Sequence, residues 1–248
     1  MRFLLLALLL TGCFRVPPTP TPMAFVEDPW PSGRAKCLLV LLPGMRDQAE
    51  DFRAEHFVED LRASGLSADL VSADANFGYY LKSIAAQRLE EDVIGPARAK
   101  GYEHVWLLGV SMGGYGAINY TMLYPEHVDG LAVFAPFLGD DAVVQQIRDA
   151  GGLATWTPPE ATRALNADNH TAQLWGYLHR VTTGKLPMPA LYVGSGDTDR
   201  MLPAVEVLTP GLPKDHVLTT KGGHAWGPWR DLLRQFLAAS AFKDRCSP

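Results

Sequence analysis

Val105-Trp106-Leu107-Leu108-Gly109-Val110-Ser111-Met112-Gly113-Gly114-Tyr115-Gly116-Ala117-Ile118-Asn119 is the stretch whose reading decides the fold. Four apolar, β-prone residues, Val105 to Leu108, end at Gly109; a serine follows two positions later, and small residues then open a helix. This is the pattern of a strand that turns sharply into a helix with a serine at the bend. So tight a turn leaves no room for side chains two positions either side of the serine, and Gly109 and Gly113 stand there. Ser111 is then presented at the end of the strand, and the amide of Met112 points the same way, toward a developing oxyanion. As a bare string the pattern recurs by chance; the strand-like run before it and the helix-compatible residues after it give it weight.

Outward from this elbow, apolar runs alternate with amphipathic stretches. Lys36 to Leu42 reads as a buried parallel strand, halted by Pro43-Gly44. Gln48 to Ala63 has Phe52, Phe57, Val58 and Leu61 at roughly helical spacing, Leu66 to Ala73 is a second strand, and Leu81 to Lys100 reads as a helix that Pro96 kinks or restarts. His104 to Leu108 is a strand, Met112 to Tyr124 a helix closed by Pro125, and Leu131 to Phe137 a strand. Ala190 to Val193 and His216 to Thr220 are further strands, and Trp229 to Phe242 is the closing helix. Such alternation predicts an α/β fold with a mostly parallel sheet of about six strands covered by helices on both faces. Between Asp140 and Leu186 the alternation lapses into Trp156, Pro158, Pro159 and a weakly amphipathic run from Thr162 to Thr183. A short helical cap over the site is expected there; the alternative is a longer crossover helix.

Length and composition suggest a single globular domain. The net charge of −5 offers no basic footprint for nucleic acid. At the amino end, Arg2 precedes an apolar run, Phe3 to Leu10, that has the proportions of a signal-peptide core and is too short to span a bilayer. Leu10-Thr11-Gly12-Cys13 resembles the lipobox of bacterial lipoproteins. That resemblance implies cleavage after residue 12 and an acylated Cys13 as membrane anchor, on a protein exported to the cell envelope. The prolines at 17, 18, 20, 22, 29 and 31 suit an extended tether over residues 13–33, with the folded domain over 34–243. Export makes a disulfide between Cys37 and Cys246 chemically possible; Cys37 falls in a core strand and Cys246 in a terminal tail, so the pairing stays open.

A serine hydroxyl is a weak nucleophile at neutral pH. It needs a general base, and the base needs an acid to fix its tautomer. In open parallel sheets the site lies beyond the carboxyl ends of strands, so the partners should follow strands. After Val193 comes Gly194-Ser195-Gly196-Asp197-Thr198-Asp199-Arg200, and Asp199 is the favoured acid, with Asp197 as the alternative. His224, in Lys221-Gly222-Gly223-His224-Ala225-Trp226, is the favoured base, whereas His216 starts a strand and His56, His104, His127, His170 and His179 are scattered. Phe137, Trp226 and Trp229 fall near these loops and are candidates to line a substrate pocket or to pack in the core.

The order Ser111, Asp199, His224 is that of the α/β-hydrolase family. From about Cys37 to Phe242 the chain resembles small bacterial α/β hydrolases, also in Leu42-Pro43-Gly44-Met45 with Glu50-Asp51-Phe52, in Ala135 to Gly139, and in Gly222-Gly223-His224 through Trp229. The resemblance implies the α/β-hydrolase fold and hydrolysis of a small or lipid-like carboxylic ester through an acyl-enzyme; with no His-Glu-x-x-His, zinc-spaced cysteine pair, phosphate loop or dinucleotide fingerprint in the sequence, no cofactor or metal is expected. It also implies a second oxyanion donor on the loop after the first core strand, where the amide of Met45 is the candidate, although Pro43 stands in place of the common histidine. Acyl transfer or thioester hydrolysis on the same residues, and a non-catalytic envelope binding protein, are the alternatives.

Overall fold

The computed structural model describes residues 16–166, 168–187 and 189–248. The expected signal segment, 1–12, and Cys13 lie outside the described residues.

Seven strands form one sheet: β1 (Phe25–Asp28), β2 (Cys37–Leu42), β3 (Ala68–Ala73), β4 (His104–Val110), β5 (Gly130–Phe134), β6 (Ala190–Gly196) and β7 (Val217–Thr220), in the order β1-β3-β2-β4-β5-β6-β7. All neighbours are parallel except β1, which runs antiparallel to β3. The helices are α1 (Asp51–Ala54), α2 (Phe57–Ala63), α3 (Phe77–Leu81), α4 (Ala85–Leu89), α5 (Gly95–Ala99), α6 (Met112–Leu123), α7 (Asp141–Asp149), α8 (His170–Thr182), α9 (Leu202–Leu208), α10 (Trp226–Ala238) and α11 (Ala241–Cys246).

Strand periodicity divides the interior in two. Alternate residues of a strand point to opposite faces, so Leu38, Val40 and Leu42 of β2 join one core with α4, α6 and α8. Cys37, Leu39 and Leu41 join the other, with Phe52, Phe57 and Leu61 below α10 and α11. This is why the strand sequences are apolar throughout rather than alternating: both faces are covered. Trp106 of β4 is fully buried, and residue 130 opposite it is glycine because a Cβ there would come within 2.3 Å of the indole ring.

Four local readings change. The proline-rich stretch was expected to be tether throughout, but Phe25–Asp28 pairs with β3 as an edge strand, and Met23 is 1% exposed. The helix expected over 48–63 is two helices, broken at His56, whose φ of 64° is left-handed. That expected over 81–100 begins only at Ala85, after Ser83 at φ 55°. It then passes through a π-helical turn, Glu90–Ile94, into α5, where Pro96 sits in the first turn and its missing amide costs nothing. The closing helix starts at Trp226 and is followed by α11, which brings Cys246 to the sheet. There it forms a disulfide with Cys37 of β2, Cα atoms 5.7 Å apart across 209 residues of chain, both residues fully buried.

Candidate active site

β3 lies on one side of β2 and β4 on the other, so the strand order reverses between β2 and β4, and the crevice beyond their carboxyl ends is where ligands enter such sheets. Ser111 follows β4 there. Its φ of 53° and ψ of −115° lie outside the regions an L-residue prefers, a conformation that costs roughly 1–3 kcal/mol. The surroundings hold it: the Ser111 amide donates to the Phe134 carbonyl at 2.9 Å, and its carbonyl accepts from the amides of Gly114 at 3.0 Å and Phe137 at 2.9 Å. The flanking glycines are steric requirements. A Cβ on Gly109 would stand 2.1 Å from the Gly113 carbonyl oxygen, and one on Gly113 would stand 2.0 Å from that of Leu42.

The structure brings Ser111, Asp199 and His224 together. His224 Nε2 is 2.9 Å from Ser111 Oγ, and Nδ1 is 2.9 and 3.1 Å from the two carboxylate oxygens of Asp199. A carboxylate only accepts, so a neutral imidazole here carries its hydrogen on Nδ1 and leaves Nε2 to accept the serine proton. The Asp199 side chain is fully buried and also accepts from the Met201 amide at 2.8 Å, while His224 stays a tenth exposed. Asp197, the alternative acid, faces away: it pairs with Lys221 at 2.7 Å and accepts from the Gly222 amide at 3.0 Å. The Lys221 ammonium holds the Asp197 carboxyl below the usual range. His216 is occupied by the Leu191 carbonyl and stacks on Tyr192.

Of the backbone candidates, Met112 is the first residue of α6, where an amide has no intrahelical acceptor. Met45 follows β2 across the same crevice. Both residues line one cavity with Ser111, of about 670 Å³. Phe137 lines it too. Trp226 and Trp229, expected as candidate lining, do not: Trp226 packs in T-shaped contacts with Phe52, Phe57 and Trp229, and the Trp229 and His224 rings meet at right angles with centroids 4.9 Å apart. They are core residues that brace the histidine loop.

Several lining residues escaped the sequence reading. Phe77, Tyr80 and Leu81 of α3 form one wall with Tyr115 and Leu123 of α6, and Arg163 to Asn166, with His170, form another. Residues of the segment between β5 and β6 thus border the cavity that holds Ser111. Asp47 was also missed. This half-buried carboxylate, just after the Gly44-Met45 turn, accepts from the Trp226 side chain and the Gly44 backbone. Burial first, and the nearby Asp51 charge second, raise its pKa, partly offset by those two hydrogen bonds and by His224. The visible signal was an aspartate three residues beyond Gly44, whose missing Cβ leaves room for the Asp47 carboxylate.

Comparison with known proteins bears on the fold. The Hydrolase_4 family, described as serine aminopeptidase, S33, matches residues 84–177, which include Ser111 but neither Asp199 nor His224. Among solved structures, Est1E from Butyrivibrio proteoclasticus is 14% identical with a TM-score of 0.59, over 86% of this chain and 92% of its own. A bacterial membrane phospholipase A is 21% identical with a TM-score of 0.55, over 90% of this chain and 82% of its own. A monoacylglycerol lipase from Paleococcus ferrophilus is 15% identical with a TM-score of 0.53, over 88% and 99%. Comparison with curated proteins finds no match. The fold is the α/β-hydrolase fold.

Proposed function

We propose that this chain is a serine hydrolase that cleaves a carboxylic ester through an acyl-enzyme. The observation that carries the reading is the unbroken relay from Ser111 Oγ through His224 to buried Asp199, with Ser111 lining a largely apolar cavity. Ser111 Oγ attacks the ester carbonyl while His224 Nε2 takes its proton, and Asp199 stabilises the resulting imidazolium. The amides of Met112 and Met45 hold the oxyanion. As the tetrahedral intermediate collapses, His224 returns the proton to the departing alcohol, and water then releases the acid by the same steps in reverse. The likeness to chains named as a phospholipase A and a monoacylglycerol lipase supports an ester substrate, while the family model described as serine aminopeptidase makes an amide the competing substrate.

We also propose that the protein is an exported lipoprotein anchored by acylated Cys13, as the likeness of Leu10-Thr11-Gly12-Cys13 to a lipobox implies. A disulfide between Cys37 and Cys246 supports export, because such bonds persist in oxidising compartments. The test of the chemistry is Ser111→Ala on p-nitrophenyl acetate. Loss of a triad nucleophile costs kcat on the order of 10⁶-fold, so the rate should fall to near background with the melting temperature unchanged. A variant that keeps the wild-type rate overturns the proposal.

A further inference from the structure

We infer that the amino-terminal strap and the rim of the cavity together form a surface that rests on an anionic lipid bilayer, so that the cavity opens onto the membrane. The inference builds on the lipid anchor proposed above and not on the chemistry at Ser111.

Residues 17–23 are a fastened strap and not a loose leash. The carbonyls of Pro18 and Pro20 accept from Asn76 Nδ2 at 3.1 Å and Tyr79 Oη at 2.6 Å, and Thr19 Oγ1 lies 2.5 Å from Lys82 Nζ. The Met23 amide donates to Asp92 at 2.7 Å. Gly78 permits the approach, since a Cβ there would come within 2.4 Å of the Pro17 carbonyl oxygen. Most of these partners lie on or beside α3, the helix whose Phe77, Tyr80 and Leu81 wall the cavity. Cys13 precedes Val16 by three residues, and an extended chain advances at most ~3.6 Å per residue. Chain connectivity alone therefore limits the backbone separation of residue 13 from Val16, next to the strap, to about 11 Å.

The rim has the character such a placement needs. Among the described residues five large apolar side chains are exposed, and three of them are here: Leu81 at 53%, Val16 at 45% and Met45 at 38%. Leu81 and Met45 line the cavity, and Val16 immediately precedes the strap. The charge is also local. In a chain of net charge −5, the cavity lining holds Arg163 and Arg200 and neither aspartate nor glutamate. Exposed apolar side chains enter the headgroup region, and basic ones are drawn to anionic lipid. An amphiphilic ester can then pass from the bilayer into the cavity without crossing water.

The test uses the full chain reconstituted in vesicles of phosphatidylglycerol and phosphatidylcholine. A polarity-sensitive fluorophore is attached in turn at L81C and at K214C, the latter beside the start of β7 at the opposite edge of the sheet; V16C serves if L81C misfolds. The expected result is severalfold brighter emission at the rim, quenched by nitroxide-bearing lipid, and no change at position 214. The double variant Tyr79→Phe, Lys82→Ala removes two of the four contacts that fasten the strap and should lower rim quenching. Replacing Arg163 or Arg200 by Ala should lower it only when phosphatidylglycerol is present. Equal, water-like emission at both positions overturns the inference, and so does a chain that does not float with the vesicles. Neither readout needs turnover, so an inactive protein with a quenched rim overturns the esterase reading alone.

Discussion

Gly113→Ala puts a single methyl group where the structure has least room, between the first turn of α6 and the end of β2. The new Cβ would meet the Leu42 carbonyl oxygen at 2.0 Å, the Leu42 carbonyl carbon at 2.5 Å and the Pro43 carbonyl oxygen at 2.8 Å. All three are backbone atoms, so no side-chain rotation relieves the clash. Restoring an ordinary separation of about 3.5 Å parts the elbow from the β2 loop by about 1.5 Å. That gap separates Ser111 and the Met112 amide on one side from the Met45 amide on the other. A displacement of about 1 Å at a catalytic centre costs roughly 10²-fold in rate, and overpacking of this kind costs about 1–3 kcal/mol of stability. For a chain of this length the stability loss corresponds to about 2–4 °C of melting temperature per kcal/mol. The assay is kcat/KM on p-nitrophenyl acetate alongside thermal melting. Gly227→Ala is the control, because nothing lies within 4 Å of a Cβ there; it should leave the rate unchanged. If Gly113→Ala matches Gly227→Ala in both readouts, the argument that two opposed backbone segments set the site geometry is refuted.

Three further expectations follow from particular contacts. Asp199→Asn should lower kcat by about 10⁴-fold through the wrong imidazole tautomer, while Asp197→Asn leaves it near wild type; equal losses would reassign the acid. Asp60 on α2 accepts from Arg230 at 2.6 and 2.9 Å and from Arg234 at 3.0 Å, both on α10, and these partners lower its pKa. A depressed carboxyl contributes stability above its unfolded pKa and loses it as pH falls through the folded value. The melting gap between wild type and Asp60→Asn should therefore be full at neutral pH and close in acid below the unfolded value, and a gap that widens in acid contradicts the assignment. Reduction of Cys37–Cys246, which closes a loop of 209 residues, should lower stability in urea titration by about 2–5 kcal/mol; an unchanged midpoint counts against the bond.

The central strands were legible because β2 and β4 are apolar on both faces and stop at Pro43-Gly44 and at Gly109-Val110-Ser111. The elbow at Ser111 could be read for a steric reason, since glycine is the residue type that fits where Gly109 and Gly113 approach backbone. Asp199 and His224 were legible because both follow strands and are set among glycines, though nothing in the string excluded Asp197. What stayed hidden depends on distant partners. Phe25–Asp28 is too short and too near prolines to announce a strand, and exists because β3 offers an unpaired edge. The breaks at His56 and Ser83 put residues other than glycine at positive φ, which local propensity does not foresee. Trp226 and Trp229 looked like pocket residues from their position beside His224, yet α10 begins early enough to turn them into the core beside Phe52 and Phe57. The cavity walls come from α3 and residues 163–170, far apart in sequence and without a shared motif.

The most direct test of the catalytic assignment is covalent. Native full-length protein is treated with a fluorophosphonate, digested and sequenced by mass spectrometry, with a heat-unfolded sample in parallel. The relay from Asp199 through His224 predicts one stoichiometric adduct on Ser111 in the native sample, absent after unfolding and absent in His224→Ala. A native protein that takes up no probe, or takes it up at another residue, contradicts the assignment.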